Sequence, residues 1–394
     1  KIGKDLELFS FHDEAPGFPF WHPKGIVIRN AILDYWRKIH TENGYQEIQT
    51  PIILSNELWK TSGHWDHYKE NMYFVKIDDC DYAVKPMNCP GAILVYKSKQ
   101  HSYKEFPIRY AELGLVHRHE KSGVLHGLFR VRNFTQDDAH IFALEENLGT
   151  EIAAIIKMIE KMYKVFGFKS YHVELSTRPD DRIGSDEVWD RAENKLEEAI
   201  KENNLDYKIN PGDGAFYGPK IDFHVKDSLE RTWQCATIQL DFAMPEKFDI
   251  SYTGEDNLKH RPVMLHRVIL GSVERFIGIL IENFSGNLPL WITPVQAAIL
   301  PISDKFQQYS EKVYNLLQKE GYRVEIDSRV ESLNKKIRQA EMSKIPLMVV
   351  IGEKEVDSNT VTIRKKTGGD IKNISIEEFM SILKENILNR KTFI

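Results

Sequence analysis

Two stretches of alternating chemistry restrict the fold of this chain more than any other feature. In residues 128–141 the even positions include Arg130, Phe134, Gln136, Asp138 and His140, and the odd ones include Phe129, Val131, Ala139 and Ile141. Residues 232–242 repeat the division, with Ala236, Ile238, Leu240 and Phe242 opposite Cys235, Thr237, Gln239 and Asp241. Strand side chains alternate between faces, so each stretch predicts a strand with one face in a core and the other polar. Arg118 and Glu120 continue the even series ahead of residues 121–127, which predict a loop turning the chain back as a long hairpin. Half-exposed antiparallel strands ordinarily carry a solvated outer face. Phe134, Gln136 and His140 are unusual company for solvent, and the polar faces are expected to line one shared cleft.

The rest of residues 1–292 predicts an antiparallel sheet with helices packed on it, an α+β domain, with helices over 24–40, 147–165 and 187–203. Pro289 and Pro294 break any helix running through 274–284 and mark a boundary, which divides the chain into 1–292 and 293–394. Beyond it come strands at 297–302, 322–326, 347–351 and 360–363, and helical patterns at 306–320, 333–342 and 376–387. That alternation predicts a smaller α/β domain with a mostly parallel or mixed sheet.

A chain of 394 residues can bury two or three cores, and 42% hydrophobic with 28% charged residues excludes wholesale disorder. No apolar stretch is long enough to span a membrane, and the expected compartment is the cytosol. Cys80, Cys89 and Cys235 are too few and scattered for a disulfide framework, so each is buried filler, a nucleophile or a metal ligand. The net charge of −5 argues against indiscriminate nucleic-acid binding. From Pro294 onward 17 Lys or Arg face 14 Asp or Glu, a surplus of +3 that leaves −8 before it. Lys335, Lys336, Arg338, Lys344, Arg364, Lys365 and Lys366 cluster there, as anchoring a phosphate backbone requires. The chain opens on Lys1, as expected of a processed form or a piece of a longer protein.

In chain order, Gly44-Tyr-Gln-Glu-Ile-Gln-Thr-Pro51, then Arg118-His-Glu120 with its loop into Gly127-Leu-Phe-Arg130, then Leu270-Gly-Ser-Val-Glu-Arg275 resemble motifs 1, 2 and 3 of class II aminoacyl-tRNA synthetases. Met87-Asn-Cys-Pro90, Asp137-Asp-Ala-His-Ile-Phe142, Gly214-Ala-Phe-Tyr-Gly-Pro-Lys-Ile-Asp222, Val263-Met-Leu-His-Arg267 and Gly352-Glu-Lys-Glu-Val356 are similar to the threonyl branch, and the resemblance spans essentially the whole chain. Two departures stand out. Only Gly271 remains of the glycines usual before the Glu-Arg of motif 3, and Val330 stands where many bacterial relatives carry an anticodon-contacting Asn. The family's upstream editing and ubiquitin-like domains are not among these residues, so proofreading of serine is expected from elsewhere.

The resemblance implies threonyl-adenylate formation from ATP and L-threonine, then transfer to the terminal ribose of tRNA(Thr), by a homodimer. Arginine suits such chemistry because its planar fork grips phosphate and carboxylate and stays charged. By resemblance, Arg118 meets the α-phosphate and the carboxyl oxygen, and Arg275 the far phosphates and the adenine face. Glu120 reads the adenine amino group, Phe134 stacks on the ring, Arg130 and Gln239 complete the ATP set with its Mg2+, and Lys220 joins the catalytic groups. Met87, Gln136, Asp138 and Tyr217 hold threonine, with Asp138 at its hydroxyl and Tyr217 at its amino group. Cys89, His140 and His266 bind one Zn2+ that receives the same amino and hydroxyl groups. An apolar pocket separates valine from threonine by only roughly 10²-fold, whereas a site demanding a hydroxyl rejects its absence by on the order of 10⁴. His64, an imidazole expected to titrate near neutrality, assists transfer, and Glu355 with Arg364 contacts the anticodon. The alternatives are a related class II synthetase for another small amino acid, and a non-catalytic paralogue serving as an RNA-binding subunit. Retention of both Arg118 and Arg275 argues against the second.

Overall fold

The computed structural model describes residues 1–227 and 229–391, which form two compact units. One comprises Phe11–Pro19 and Tyr35–Ile279; the other comprises Lys1–Ser10, Phe20–Asp34 and the chain from Leu280 onward.

The first unit is built on an eight-stranded sheet. In chain order its strands are β1 (Gln46–Glu47), β2 (Ile108–His117), β3 (Asn133–Ala143), β4 (Tyr171–Ser176), β5 (Tyr207–Asn210), β6 (Lys220–Lys226), β7 (Thr232–Asp241) and β8 (Val263–Ser272). They lie in the order β5-β4-β6-β7-β8-β3-β2-β1. The five inner pairings are antiparallel and the outermost one at each edge is parallel. The sheet follows from its alternation: Ile221, Phe223, Ala236, Ile238 and Leu240 are buried on one face. Helix Asp186–Glu202 packs on β6 and β7, and helix Leu148–Val165 packs on β8. The second helix buries Ile152, Ile155, Ile156, Ile159 and Met162, an apolar stripe at helical spacing, and the first starts at Ser185, whose hydroxyl accepts the Val188 N–H. Both helices start and stop within a residue or two of expectation.

The long-hairpin reading needs correcting at its turn. β3 begins at Asn133, not at 128, and β2 stops at His117. Between them the amides of Phe129 and Arg130 both turn back to the His126 carbonyl, with Gly127 at φ +49°. Arg130 therefore reaches the polar face from a loop and not by strand parity. Parity puts Asp137 on the apolar side, and there it is a fully buried carboxylate. Its reason is on β8, where the register to β3 shifts between Val268 and Ser272 and frees the amides of Ile269, Leu270 and Gly271. All three donate to the Asp137 carboxylate at 2.8–2.9 Å. Helix Cys89–Lys97, which carries the first cysteine of interest, was not anticipated.

The second unit contains a mixed sheet of β9 (Ala297–Pro301), β10 (Val324–Ile326), β11 (Leu347–Ile351), β12 (Val361–Lys365) and β13 (Ile371–Ile374). The order is β10-β9-β11-β12-β13, parallel in its first two pairings and antiparallel in its last two. Helices Gln307–Lys319, Leu333–Met342 and Ile376–Leu388 appear as expected. Helix Glu353–Ser358 and β13 do not figure in the sequence reading. Both are short, and Asn359 and Asn373, at φ +52° and +54°, interrupt the chain where periodicity would show them. No helix among the described residues is long and apolar enough to cross a membrane.

Candidate active site

The polar face of the sheet opens into a pocket of about 540 Å³. Met87, Cys89, Arg118, Glu120, Arg130, Phe134, Gln136, Asp138, His140, Tyr217, Lys220, Gln239, His266 and Arg275 all line it, as the shared-cleft expectation requires.

Its cationic part is held by backbone carbonyls. Arg118 donates from Nε to Pro86 O at 3.1 Å, and its guanidinium lies 5.0 Å from the centre of the Phe134 ring. Arg275 donates from Nε to Phe129 O at 2.9 Å, so the loop that displaced Arg130 from the strand also orients motif 3. Each carbonyl fixes one edge of a guanidinium and leaves the others to a ligand. Burial, followed by repulsion from Arg130 and Arg118, holds the Arg275 pKa below its ordinary value, opposed in part by Cys235 and Glu120. Glu120 pairs with Arg130 at 3.3 Å. Three guanidiniums against one carboxylate make this a site for an anion. Lys220 lies 3.1 Å from both Asp213 and Asp222; burial opposes its charge, but the two carboxylates outweigh it and raise its pKa.

The inner part gathers one thiol and two imidazoles. The ligand atoms of Cys89, His140 and His266 lie within 4.8 Å of one another, and all three residues are buried. Nδ1 of each histidine is buried without a hydrogen-bond partner. His266 is fixed through its other nitrogen by Asp241 at 2.8 Å, and Asp241 is itself held by the amides of Ala243 and Met244. That relay orients a ligating imidazole. Burial pushes the Cys89 thiol well up and the His140 imidazole well down, and a bound cation would draw off the thiol proton. The orphaned nitrogens, and a donor set of two imidazoles and one thiol, fit a borderline-soft ion such as zinc.

Beside it, Asp138 is pushed up to about 7 by burial, an effect opposed by the Asn88 hydrogen bond. Asn88 donates from Nδ2 to Asp138 at 3.1 Å and to Gln136 at 3.4 Å. Space for it comes from Gly114 on β2, where a Cβ would stand 2.2 Å from the Asn88 amide. Tyr217 donates its hydroxyl to Gln239, and its ring lies 4.8 Å from that of His266. Asn88 and Asp241 escaped the sequence reading as site residues. The signal was there for both: Asn88 adjoins Cys89, and Asp241 is on the polar face of 232–242.

Three expectations meet different surroundings. His64 is fully buried between Trp59 and Phe216, with Nδ1 2.7 Å from Ser62 Oγ and Nε2 3.9 Å from Cys89 Sγ. Burial, then the charges of His266 and Arg118, pushes it down to about 3, so its expected near-neutral titration is corrected. In the second unit Glu355 is buried and already engaged, accepting the Gly352 amide at 2.9 Å and the Thr362 hydroxyl at 2.7 Å, whereas Arg364 is exposed. The basic cluster is smaller than its residue count suggests. Lys336 is buried, donating to the carbonyls of Pro301 and Asp327, and Lys366 donates to Asn287 and Glu341.

Residues 73–284 match the family described as tRNA synthetase class II core domain (G, H, P, S and T), and residues 296–386 match the anticodon binding domain family. The chain is 60% identical over 391 residues to a threonine–tRNA ligase of Carboxydothermus hydrogenoformans and 60% identical over 390 residues to one of Clostridium tetani. These alignments take in 99% of this chain but only 62% and 61% of the relatives' own lengths. Among solved structures, the RNA binding domain of threonyl-tRNA synthetase from Cryptosporidium parvum superposes with a TM-score of 0.95 at 40% identity, over 98% of this chain and 97% of that one. A threonyl-tRNA synthetase ThrRS-1 of Aeropyrum pernix, named as putative, superposes at 0.87 and 28% identity, over 100% and 97%.

Proposed function

The chain belongs to the class II aminoacyl-tRNA synthetases, in the threonyl-tRNA synthetase family, and from that membership we propose that it is a threonine–tRNA ligase: it activates threonine with ATP and passes the threonyl group to the terminal ribose of tRNA(Thr). The observation that carries this reading is the buried Cys89, His140 and His266 group at one end of a pocket whose other end is crowded with arginines. Cys89, His140 and His266 would hold Zn2+, which supplies a Lewis-acidic centre selective for an amino alcohol.

The chain's own residues carry the rest of the proposal. Asp138, oriented by Asn88, accepts the threonine hydroxyl, and Tyr217, fixed through Gln239, faces the amino group with Met87 packed nearby. Gln136 and Arg118 draw the carboxylate to the α-phosphate of ATP, which arrives with Mg2+. Arg275 and Lys220 neutralise charge as pyrophosphate leaves, Phe134 stacks on adenine, and Glu120 and Arg130 read its edge. His64 serves transfer as a neutral hydrogen-bonding and positioning group, since burial keeps it uncharged. Glu355 and Arg364 meet the anticodon, within a division of the chain into 1–292 and 293–394. Ile52 and Ile53 are 41% and 46% exposed directly after the motif 1 stretch, which supports a homodimer through that segment.

Exchange of pyrophosphate into ATP tests the reading. Threonine should stimulate it, and proline, glycine and low serine should not. Stimulation by proline or glycine in place of threonine would make the chain a different class II synthetase. No exchange with any of them, together with retained tRNA binding, would favour the non-catalytic paralogue.

A further inference from the structure

A second group of metal-ligating side chains lies on the same sheet face, outboard of the pocket. His172 on β4 and His224 on β6 are directly opposite one another across an antiparallel pairing, and Glu174 is two residues along β4 on the same face. Their ligand atoms lie within 4.8 Å of one another. The two imidazoles stack 4.6 Å apart at 6° and both present Nε2 to the one carboxylate. His224 Nε2 is 3.4 Å from one Glu174 oxygen, and His172 Nε2 is 3.7 Å from the other. Asn210 on β5 donates to the same carboxylate at 3.2 Å and fixes its orientation.

The 3.7 Å separation is too long for a hydrogen bond, and His224 Nε2, although 3.4 Å from Glu174, is buried with no hydrogen-bond partner. A protonated imidazole would close on the carboxylate, and a neutral one bonded elsewhere would turn its lone pair away from it. A shared cation fits this spacing once the parallel rings tilt to bring their in-plane lone pairs together. Two atoms each about 2.0–2.1 Å from a tetrahedral ion lie about 3.3–3.4 Å apart. We propose that His172, Glu174 and His224 form a second divalent transition-metal site, of zinc type, that ties β4 to β6. Two imidazoles and a carboxylate are a donor set for zinc and its first-row neighbours, and the remaining position falls to water. The site is independent of the activity proposed above, since none of its three side chains lines the pocket.

Cobalt titration of the untagged full chain, stripped with a chelator, separates the two sites. Co2+ at the cysteine-containing site gives an intense thiolate charge-transfer band, whereas Co2+ at a His-Glu-His site gives only weak ligand-field absorption. Two equivalents per chain are expected, one of each kind. His224→Ala should weaken the second equivalent at least tenfold, leaving the thiolate band and threonine-dependent exchange intact, and Cys89→Ala should do the reverse. His172→Ala, at a side chain 41% exposed, repeats the test should His224→Ala fail to fold. Binding of a single equivalent that carries the thiolate band, or a second equivalent whose affinity neither histidine substitution changes, overturns the proposal.

Discussion

The Asp137 carboxylate accepts the Gly271 amide at 2.8 Å, and Arg275 follows four residues later at the start of helix Val273–Asn283. With the amides of Ile269 and Leu270 it closes the break in β8 that lets the chain leave the sheet and enter the helix. Asp137→Ala strands three buried donors and should lower stability by on the order of 4 kcal/mol. Asp137→Asn keeps one acceptor and should fall between. Urea unfolding measures both; equal stability of all three proteins would remove Asp137 from this role.

Gly114→Ala should reach the threonine end of the pocket from a strand it does not line. The added Cβ displaces Asn88, and Asp138 loses its 3.1 Å donor. A lost buried hydrogen bond of about 1–3 kcal/mol predicts a roughly 5- to 150-fold drop in kcat/KM for threonine. The KM for ATP should change little. A loss shared equally by both substrates would mean that the strand itself had moved.

Arg118→Ala and Arg275→Ala should each slow threonine-dependent exchange by about 10²- to 10³-fold, the range for removing one preorganised stabiliser of developing charge. Circular dichroism establishes that the variants fold. Exchange at the wild-type rate in either folded variant would rule out its assigned part.

His40 gives the protein an acid sensitivity of its own. It stacks on Trp36 at 3.7 Å, with Nδ1 2.6 Å from Trp36 O, and burial, then Arg267, holds its pKa well below 6.5. The unfolded chain thus binds this proton more readily than the folded one. Stability is fully present above about pH 6.5 and falls by up to about 1.4 kcal/mol per unit as pH drops below it. Urea unfolding between pH 5 and 8 should show a slope about one proton shallower in His40→Phe. An unchanged slope would assign the sensitivity to other histidines.

The second unit separates a structural residue from a binding one. Glu355→Ala removes the bonds to Gly352 and Thr362 and should cost about 1–2 kcal/mol of that unit's stability. Arg364→Ala, at an exposed side chain, should leave stability alone and weaken tRNA binding by about 1–3 kcal/mol. Calorimetry and filter binding read the two effects. An Arg364→Ala protein that binds tRNA as the wild type does would clear Arg364 of anticodon contact.

Strand alternation exposed the polar face of β3 and β7 because period-two chemistry is local, and the same holds for the amphipathic helices. What parity could not show was set by the interruptions. The loop at 126–131 reaches the pocket out of register, and Asp137 is buried on the apolar side because β8 breaks opposite it. His64 reads as an imidazole titrating near neutrality, since nothing in Thr61-Ser-Gly-His64 announces Trp59 and Phe216 closing over it. Lys336 and Lys366 looked like surface charge because a charged side chain that ends on main-chain carbonyls leaves no trace in the local pattern.

The crowding of Arg118, Arg130 and Arg275 reaches beyond the reaction. The folded chain bears their mutual repulsion, and the unfolded chain does not. Any polyphosphate that settles among them therefore acts as a stabiliser of the fold, whether or not it reacts, and the melting temperature climbs with its concentration. Heat tolerance and the supply of such an anion are then linked in this protein, and its withdrawal brings the fold closer to unfolding.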